Sequence, residues 1–260
     1  MRLLQISDPH LLADGAGTYR GRRPAVHLAE ALRRGAALDR PPELLLISGD
    51  LCQDESWGGY VRLRQLLEPW PTPVALLSGN HDHPQLLRAA LGRRALVAPA
   101  VLEREDSRVV LLDSHQAGRC GGALGARQRH WLAGLLQRWA QEPPRPLLVA
   151  VHHPPVPIGD PTMDAIGLDD GPELLELLRP VPSLVALVFG HVHQHWQAGL
   201  PGRAGVPLLG CPSTLCGFGP VQPCPLGRPD DPGARWLDVD RRGTLHQRLL
   251  RWPAPTQPPV

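Results

Sequence analysis

Leu184-Val185-Ala186-Leu187-Val188-Phe189-Gly190-His191-Val192-His193 is an unbroken apolar run closed by a glycine and two histidines two positions apart. Six apolar residues without alternation fit a short strand covered on both faces. On an extended chain, residues i and i+2 point to the same side, so His191 and His193 can present their imidazoles together where the strand ends. Four other stretches repeat the design. Asp8-Pro9-His10 follows Leu3 to Ser7, and Gly49-Asp50 follows Leu44 to Ser48. Gly79-Asn80-His81-Asp82 follows Val74 to Ser78, and His152-His153 follows Leu147 to Val151. Each block offers oxygen or imidazole ligands and none offers a thiolate. Mixed N/O donors at the ends of adjacent strands are the ligand set of a two-metal hydrolytic centre.

The composition narrows the alternatives. The chain has 260 residues, 42% of them hydrophobic, enough for a sizeable core. Its formal net charge is +2, too small for nucleic-acid binding by bulk electrostatics. All 27 basic residues are arginine, a compositional bias that carries no functional information. The cysteines Cys52, Cys120, Cys211, Cys216 and Cys224 form no CxxC pair, which excludes a zinc ribbon and predicts reduced thiols. Met1 runs almost directly into Asp8, leaving no room for a signal-peptide apolar segment. No stretch approaches the ~20 apolar residues of a membrane span. The expectation is a cytoplasmic protein with no membrane and no nucleic-acid partner; oligomeric state stays open.

Strands are predicted near 2–7, 44–48, 73–78, 108–113, 147–151 and 184–189, and helices over 24–38, 57–68, 84–91, 126–140 and 172–178. Such alternation predicts an α/β fold. Later strands at 206–210, 234–239 and 245–250 are expected to form a second sheet packed on the first. The Pro- and Gly-rich stretch 217–233 reads as a surface loop. The five blocks span residues 8 to 193, so a domain split would cut the site. The expectation is one domain over 1–251, followed by a disordered Pro-rich tail over 252–260.

Several blocks carry chemistry beyond their position. Asp8 and His10 share a face and can reach one metal. The two oxygens of the Asp50 carboxylate can bridge two cations. The Asn80 amide oxygen is a hard neutral ligand suited to a divalent ion beside anionic ones. His81, adjacent, points elsewhere, toward substrate. Between His152 and His153 the pattern does not choose, although His152 comes first after its strand.

In this order the blocks D-x-H, G-D, G-N-H-D, H and G-H-x-H resemble the calcineurin-like metallophosphoesterases. Longer strings resemble the bacterial class III cyclic nucleotide phosphodiesterases, the cyclic AMP branch. These are Leu112-Asp113-Ser114-His115 with Gly118, Gly122 and Gln128 to Leu132; His152-His153-Pro154-Pro155-Val156-Pro157; Gly190 to Gln194; Pro212-Ser213-Thr214; and Pro232 to Leu237. The resemblance covers residues 1 to about 250. It implies a four-layer α/β/β/α sandwich of two mixed sheets. It further implies a first metal on Asp8, His10 and His193, a second on Asn80, His152 and His191, and Asp50 bridging them. Asp50, Asn80 and His81 are then the catalytic residues. Substrate contacts are expected from Asn80, His81, His153 and Thr214. The implied activity is hydrolysis of 3′,5′-cyclic AMP, or a related cyclic nucleotide, to 5′-AMP by direct attack of a hydroxide generated between two ions. Manganese or iron leads the candidates, with zinc and cobalt behind. Rival expectations are the same chemistry on 2′,3′-cyclic nucleotides or other phosphodiesters, and a binding module of the same fold that has lost catalysis. Gly49 to Glu55 lacks the Arg-Gly of the Ser/Thr phosphatase pattern Gly-Asp-x-x-Asp-Arg-Gly, which ranks that branch low.

Three other features need a reading. Cys52 has no base assigned to it by the sequence and reads as a packing residue. Arg20, Arg22 and Arg23 form a basic cluster that either closes on the site or is a solvated loop face. Trp57, Trp131 and Trp139 fall in helical patterns and read as core.

Overall fold

The two faces of each apolar strand go to different partners, and that decides the layering. The computed structural model describes residues 1–255. In β1 (Arg2–Ile6), Leu3 faces one side, and Leu4 and Ile6 face the other. β2 (Leu44–Ile47) repeats this, with Leu44 and Leu46 turned opposite to Leu45 and Ile47. Leu3, Leu44 and Leu46 join Leu148, Ala150, Val188 and Leu209 in a cluster between two sheets. Leu4, Ile6, Leu45 and Ile47 pack under helices. Both faces are dry, which is why the runs do not alternate. Each fully buried leucine contributes roughly 1.5–3 kcal/mol over its exposed state.

The first sheet has the order β12-β11-β1-β2-β3-β4. It adds β3 (Val74–Leu76), β4 (Leu96–Val97), β11 (Gly233–Val239) and β12 (Leu245–Arg251) to β1 and β2. β1 to β4 run parallel, while β11 pairs antiparallel with both β1 and β12. The second sheet has the order β5-β6-β7-β8-β10-β9. Its strands are β5 (Ala100–Glu103), β6 (Arg108–Leu111), β7 (Leu147–Val151), β8 (Leu184–Phe189), β9 (Trp196–Leu200) and β10 (Arg203–Gly210). Helices α1 (Pro24–Ala36), α2 (Trp57–Leu67) and α3 (Pro84–Leu91) cover the first sheet; α4 (Gly125–Trp139), α5 (Pro161–Asp164) and α6 (Gly171–Leu178) cover the second. The result is the expected α/β/β/α sandwich of two mixed sheets.

Helix starts follow local chemistry. α1 and α3 each carry a proline in the first turn, where a missing N–H costs nothing. Ser56 Oγ accepts from Gly59 N at 3.0 Å and caps α2.

Several expectations need correction. The late strands do not form the second sheet by themselves. β11 and β12 extend the first sheet through antiparallel pairing to β1, and β10 joins the second beside β8. β4, β5, β9 and α5 went unpredicted because each is short and lacks clean alternation; β9, for example, buries only its two ends. The expected tail begins too early. Trp252 is buried among the helix-side residues of the first sheet, its N–H donates to Pro232 O at 3.2 Å, and Arg34 lies over its ring. Residues 256–260 lie outside the described residues, so the remainder of that expectation falls there. Trp139 is buried, but Trp57 is half exposed, because it is the first residue of α2 and faces away from the sheet. Among the described residues no helix is long and apolar enough to cross a membrane.

Candidate metal centre

The five polar blocks leave the carboxyl ends of β1, β2, β3, β7 and β8, and the two sheets bring them together. Asp8, His10, Asp50, His191 and His193 leave their strands with left-handed φ values of 51°, 49°, 48°, 66° and 52°. Such conformations cost free energy in non-glycine residues and concentrate at functional sites. Glycine is obligatory at two points. A Cβ on Gly79 would lie 2.1 Å from Asp50 Oδ1, and one on Gly49, itself at φ 102°, would lie 2.1 Å from His152 Nδ1.

Two groups of donors result, buried except for the half-buried Asn80. In the first, Asp8, His10, Asp50 and His193 bring ligand atoms within 4.8 Å of one another. His10 Nε2 and His193 Nε2 are 3.0 Å apart, His193 Nε2 is 3.5 Å from Asp8 Oδ1, and His10 Nε2 is 3.8 Å from Asp50 Oδ2. In the second, His152 Nε2 lies 3.4 Å from Asn80 Oδ1 and 3.5 Å from Asp50 Oδ1, with the His191 ring 5.1 Å away. The two oxygens of Asp50 therefore face different groups.

The hydrogen bonds around the imidazoles set which nitrogen is free. His152 Nδ1 donates to Ser48 O at 2.7 Å, His193 Nδ1 to Cys216 O at 3.1 Å, and His10 Nδ1 to Gln53 Oε1 at 2.7 Å. Each of these aims Nε2 inward, where it offers a lone pair once it carries no proton. His191 Nε2 and Asp8 Oδ2 are buried with no partner. With His10 Nε2 and His193 Nε2 only 3.0 Å apart, something positive has to lie between them, a proton on His193 or a metal ion that takes its place. Donors about 2.0–2.1 Å from one ion stand roughly 3.0–3.4 Å from each other in octahedral or tetrahedral arrangement, which matches the closest spacings here. The residues present thus fit a pair of divalent ions.

The electrostatics agree. Burial opposes charge on Asp50, but the surrounding His152, His10, His81 and His191 hold its carboxyl well below the usual carboxylate range. Burial pushes His10 down to about 4 and His191 to about 3, so both offer neutral nitrogens. At His193 burial is outweighed by the Asp8 carboxylate, which lifts it to about 10. Without metal, His193 keeps a proton that a cation must displace. The proton's hold is lost only as pH rises toward 10, so metal affinity is expected to increase with pH across the neutral range. Competition titrations with a chromogenic chelator at pH 6, 7 and 8 check this; affinity independent of pH contradicts it.

The two adjacent histidines separate cleanly. His153 spends both ring nitrogens, Nδ1 on Ser114 Oγ at 2.7 Å and Nε2 on Cys120 O at 3.1 Å. It is fully buried and packs 4.7 Å from the His191 ring, close enough to be counted with the second group but with no lone pair left to give. The expected substrate contact from His153 is therefore corrected to a packing role behind His191. Thr214 is likewise corrected. It is fully buried, its N–H donates to Ser7 O at 2.9 Å, and its carbonyl meets His27 Nδ1 at 3.2 Å. Ser213 Oγ donates to Asp8 O at 2.8 Å, so this pair pins the Asp8 turn.

His81 stands at the edge of the first group, its ring 5.3 Å from that of His10. Its N–H donates to Asp50 Oδ1 at 3.0 Å. Gln53 links the two rings. Its Oε1 accepts from His10, so its Nε2 donates to His81 Nδ1 at 3.2 Å, leaving the proton of a neutral His81 on Nε2.

Two supporting residues went unassigned in the sequence. One is Gln53, whose position after Gly-Asp carries no signal. The other is Asp82, whose carboxylate accepts from Leu51 N, Cys52 N, Gly79 N and Tyr60 Oη at 2.8–3.1 Å. Burial and nearby Asp50 push its pKa up to about 7. The block Gly79-Asn80-His81-Asp82 did contain Asp82, but nothing in one sequence tells a ligand from a brace. Cys52 is buried, and burial pushes its thiol up to about 12, so it is an un-ionised packing group.

The model of the calcineurin-like phosphoesterase family matches residues 1–195. A probable cyclic nucleotide phosphodiesterase of Synechococcus sp. strain WH7803 is 48% identical over 260 residues, covering 97% of each chain. The 3′,5′-cyclic adenosine monophosphate phosphodiesterase CpdA of Pseudomonas aeruginosa is 34% identical, over 96% of this chain and 89% of its own. Among solved structures, a dimetal phosphatase from Danio rerio superposes with a TM-score of 0.65 at 14% identity, covering 96% of this chain and 98% of that one, a likeness of fold.

Proposed function

The chain belongs to the calcineurin-like phosphoesterase family, and from that premise we propose that it is a phosphodiesterase hydrolysing 3′,5′-cyclic AMP, or a closely related cyclic nucleotide, to the 5′-monophosphate at a dinuclear metal centre. The observation that carries the reading is the convergence of two buried donor groups on the separate oxygens of Asp50. Asp8, His10 and His193 would hold one ion, Asn80, His152 and His191 the other, and Asp50 would supply an oxygen to each. When bound, the ions neutralise phosphoryl oxygens and lower the pKa of a water. Mixed N/O donors suit manganese or iron, with zinc and cobalt as the ions to compare in reconstitution. Residues 1–252 act as one domain, since the ligands come from both sheets and Trp252 packs into the core of the first. Five unpaired cysteines accord with a reducing, cytoplasmic setting.

The chain's own groups divide the remaining work. The left-handed turns fix the ligands before substrate arrives, so little reorganisation accompanies reaction. The Asn80-His81 turn sets the phosphodiester against the donors. Water adds to phosphorus, the P–O3′ bond breaks, and O3′ needs a proton. The attacking water releases one proton and O3′ takes one up, while His81 Nε2–H, whose position Gln53 secures by donating to Nδ1, stabilises the charge developing on O3′ by donating a hydrogen bond to it. His81→Ala is expected to lower kcat by about 10²–10³-fold while sparing metal content, the range for loss of one hydrogen-bond donor to a developing negative charge. Full turnover in that variant removes His81 from the mechanism. The reading itself is tested by assaying metal-loaded protein on 3′,5′-cAMP, cGMP, 2′,3′-cAMP, AMP and an artificial diester, with product identification. 5′-AMP from 3′,5′-cAMP supports it; preference for a phosphomonoester overturns it.

A further inference from the structure

We propose that Arg20 recognises the nucleoside part of the substrate, an assignment that rests on the cyclic-nucleotide reading above. Among the described residues, seven that are not glycine have left-handed φ, and five of them are the ligand candidates already described. The other two are Arg20, at φ 50°, and Glu55, at φ 49°. Glu55 lines the cavity beside Asn80 and His81. Strain of this kind persists where the surrounding structure has a use for the conformation.

Arg20 is built into the rim of the first donor group. Its guanidinium carbon is 4.8 Å from the Phe218 ring centre and 5.6 Å from that of Tyr19. Phe218 stacks flat on His193, at 4.1 Å and 5°, and the Tyr19 ring is 5.0 Å from His10. The guanidinium is therefore one ring removed from each of the two histidines whose Nε2 atoms face one another. The chain has two phenylalanines and two tyrosines in all, and one of each stands here. The neighbouring arginine is spent differently, since Arg22 pairs with Asp230 and donates to Leu215 O at 2.7 Å. Among the described residues no carboxylate lies within ion-pairing distance of Arg20, which is exposed. One N–H of the guanidinium is engaged by the Tyr19 side chain, and its remaining in-plane N–H donors are left for a ligand.

The spacing indicates which part of the substrate it meets. The phosphodiester belongs on the donors, and the Phe218 ring separates Arg20 from His193. A nucleoside attached to that phosphate must extend past the rim, where in-plane guanidinium donors meet the acceptors of a base edge. The basic cluster thus divides into a structural Arg22 and a substrate-facing Arg20.

The test compares metal-loaded wild type, Arg20→Ala and Arg20→Lys on 3′,5′-cAMP and on methyl p-nitrophenyl phosphate, a diester with no nucleoside. Calorimetry of 5′-AMP and of inorganic phosphate accompanies the kinetics. In Arg20→Ala the ratio of kcat/KM between the two substrates is expected to fall about 10–100-fold, the range of a charge-assisted hydrogen bond. Affinity for 5′-AMP falls by the same factor without a matching fall for phosphate. Arg20→Lys recovers little, because lysine lacks the planar face. A ratio within about twofold of wild type, or parallel losses for 5′-AMP and phosphate, overturns the assignment. If wild type cleaves the small diester but not cyclic AMP, the substrate reading fails. Binding of 5′-AMP then decides Arg20 independently: a selective loss in Arg20→Ala sustains it, and unchanged binding overturns it.

Discussion

Asp50→Ala is expected to reduce kcat/KM on a cyclic nucleotide by at least about 10³-fold and to lower bound metal from two ions per chain to one or none. The reason is geometric. Oδ1 lies 3.5 Å from His152 Nε2 in one group, and Oδ2 lies 3.8 Å from His10 Nε2 in the other. Removing the side chain takes a ligand from both groups at once, together with an anion that offsets the charge of neighbouring ions. Oδ1 also accepts the His81 backbone N–H at 3.0 Å, so the turn carrying the proposed hydrogen-bond donor loosens too. Inductively coupled plasma measurement of metal per chain, with kinetics on the same samples, checks both halves. Two ions and a wild-type rate in this variant would remove the bridging role.

Asp82→Ala should act through stability instead. The carboxylate is buried and accepts from three backbone N–H groups and the Tyr60 hydroxyl. Truncation leaves all four donors without a partner in a dry site. The expected cost is about 3–5 kcal/mol, seen as a drop in Tm of roughly 6–20 °C. Because Leu51 and Gly79 flank Asp50 and Asn80, metal affinity should fall as well. Asp82→Asn keeps an acceptor and is expected to lose much less. Calorimetric melting of the three proteins in the metal-free state measures the effect, and an unchanged Tm for Asp82→Ala contradicts the bracing role.

The layers and the convergence of the five polar blocks were legible because both rest on strong local patterns. A run such as Leu44 to Ile47, apolar at every position, has one simple explanation, a strand buried on two faces. A polar block after each of five such runs marks where strand ends meet. The joining of β11 to β1 was not legible, since pairing partners depend on contacts more than 200 residues apart. Nor could the sequence separate His152 from His153. Adjacent histidines after a strand look alike until one is seen to donate to Ser48 and the other to have both nitrogens engaged. Thr214 was misread for a related reason, because position after a strand does not tell a reachable hydroxyl from one buried against Ser7. Gln53, Asp82 and the Tyr19–Arg20–Phe218 stack act through neighbours distant in sequence. Such braces carry no spacing rule of their own.

Anomalous diffraction at the manganese edge from crystals of the Mn²⁺-loaded protein tests the central claim most directly. Two peaks are predicted, one enclosed by Asp8, His10 and His193 and one by Asn80, His152 and His191, with Asp50 between them. A single peak, or two peaks that do not share Asp50, would contradict it.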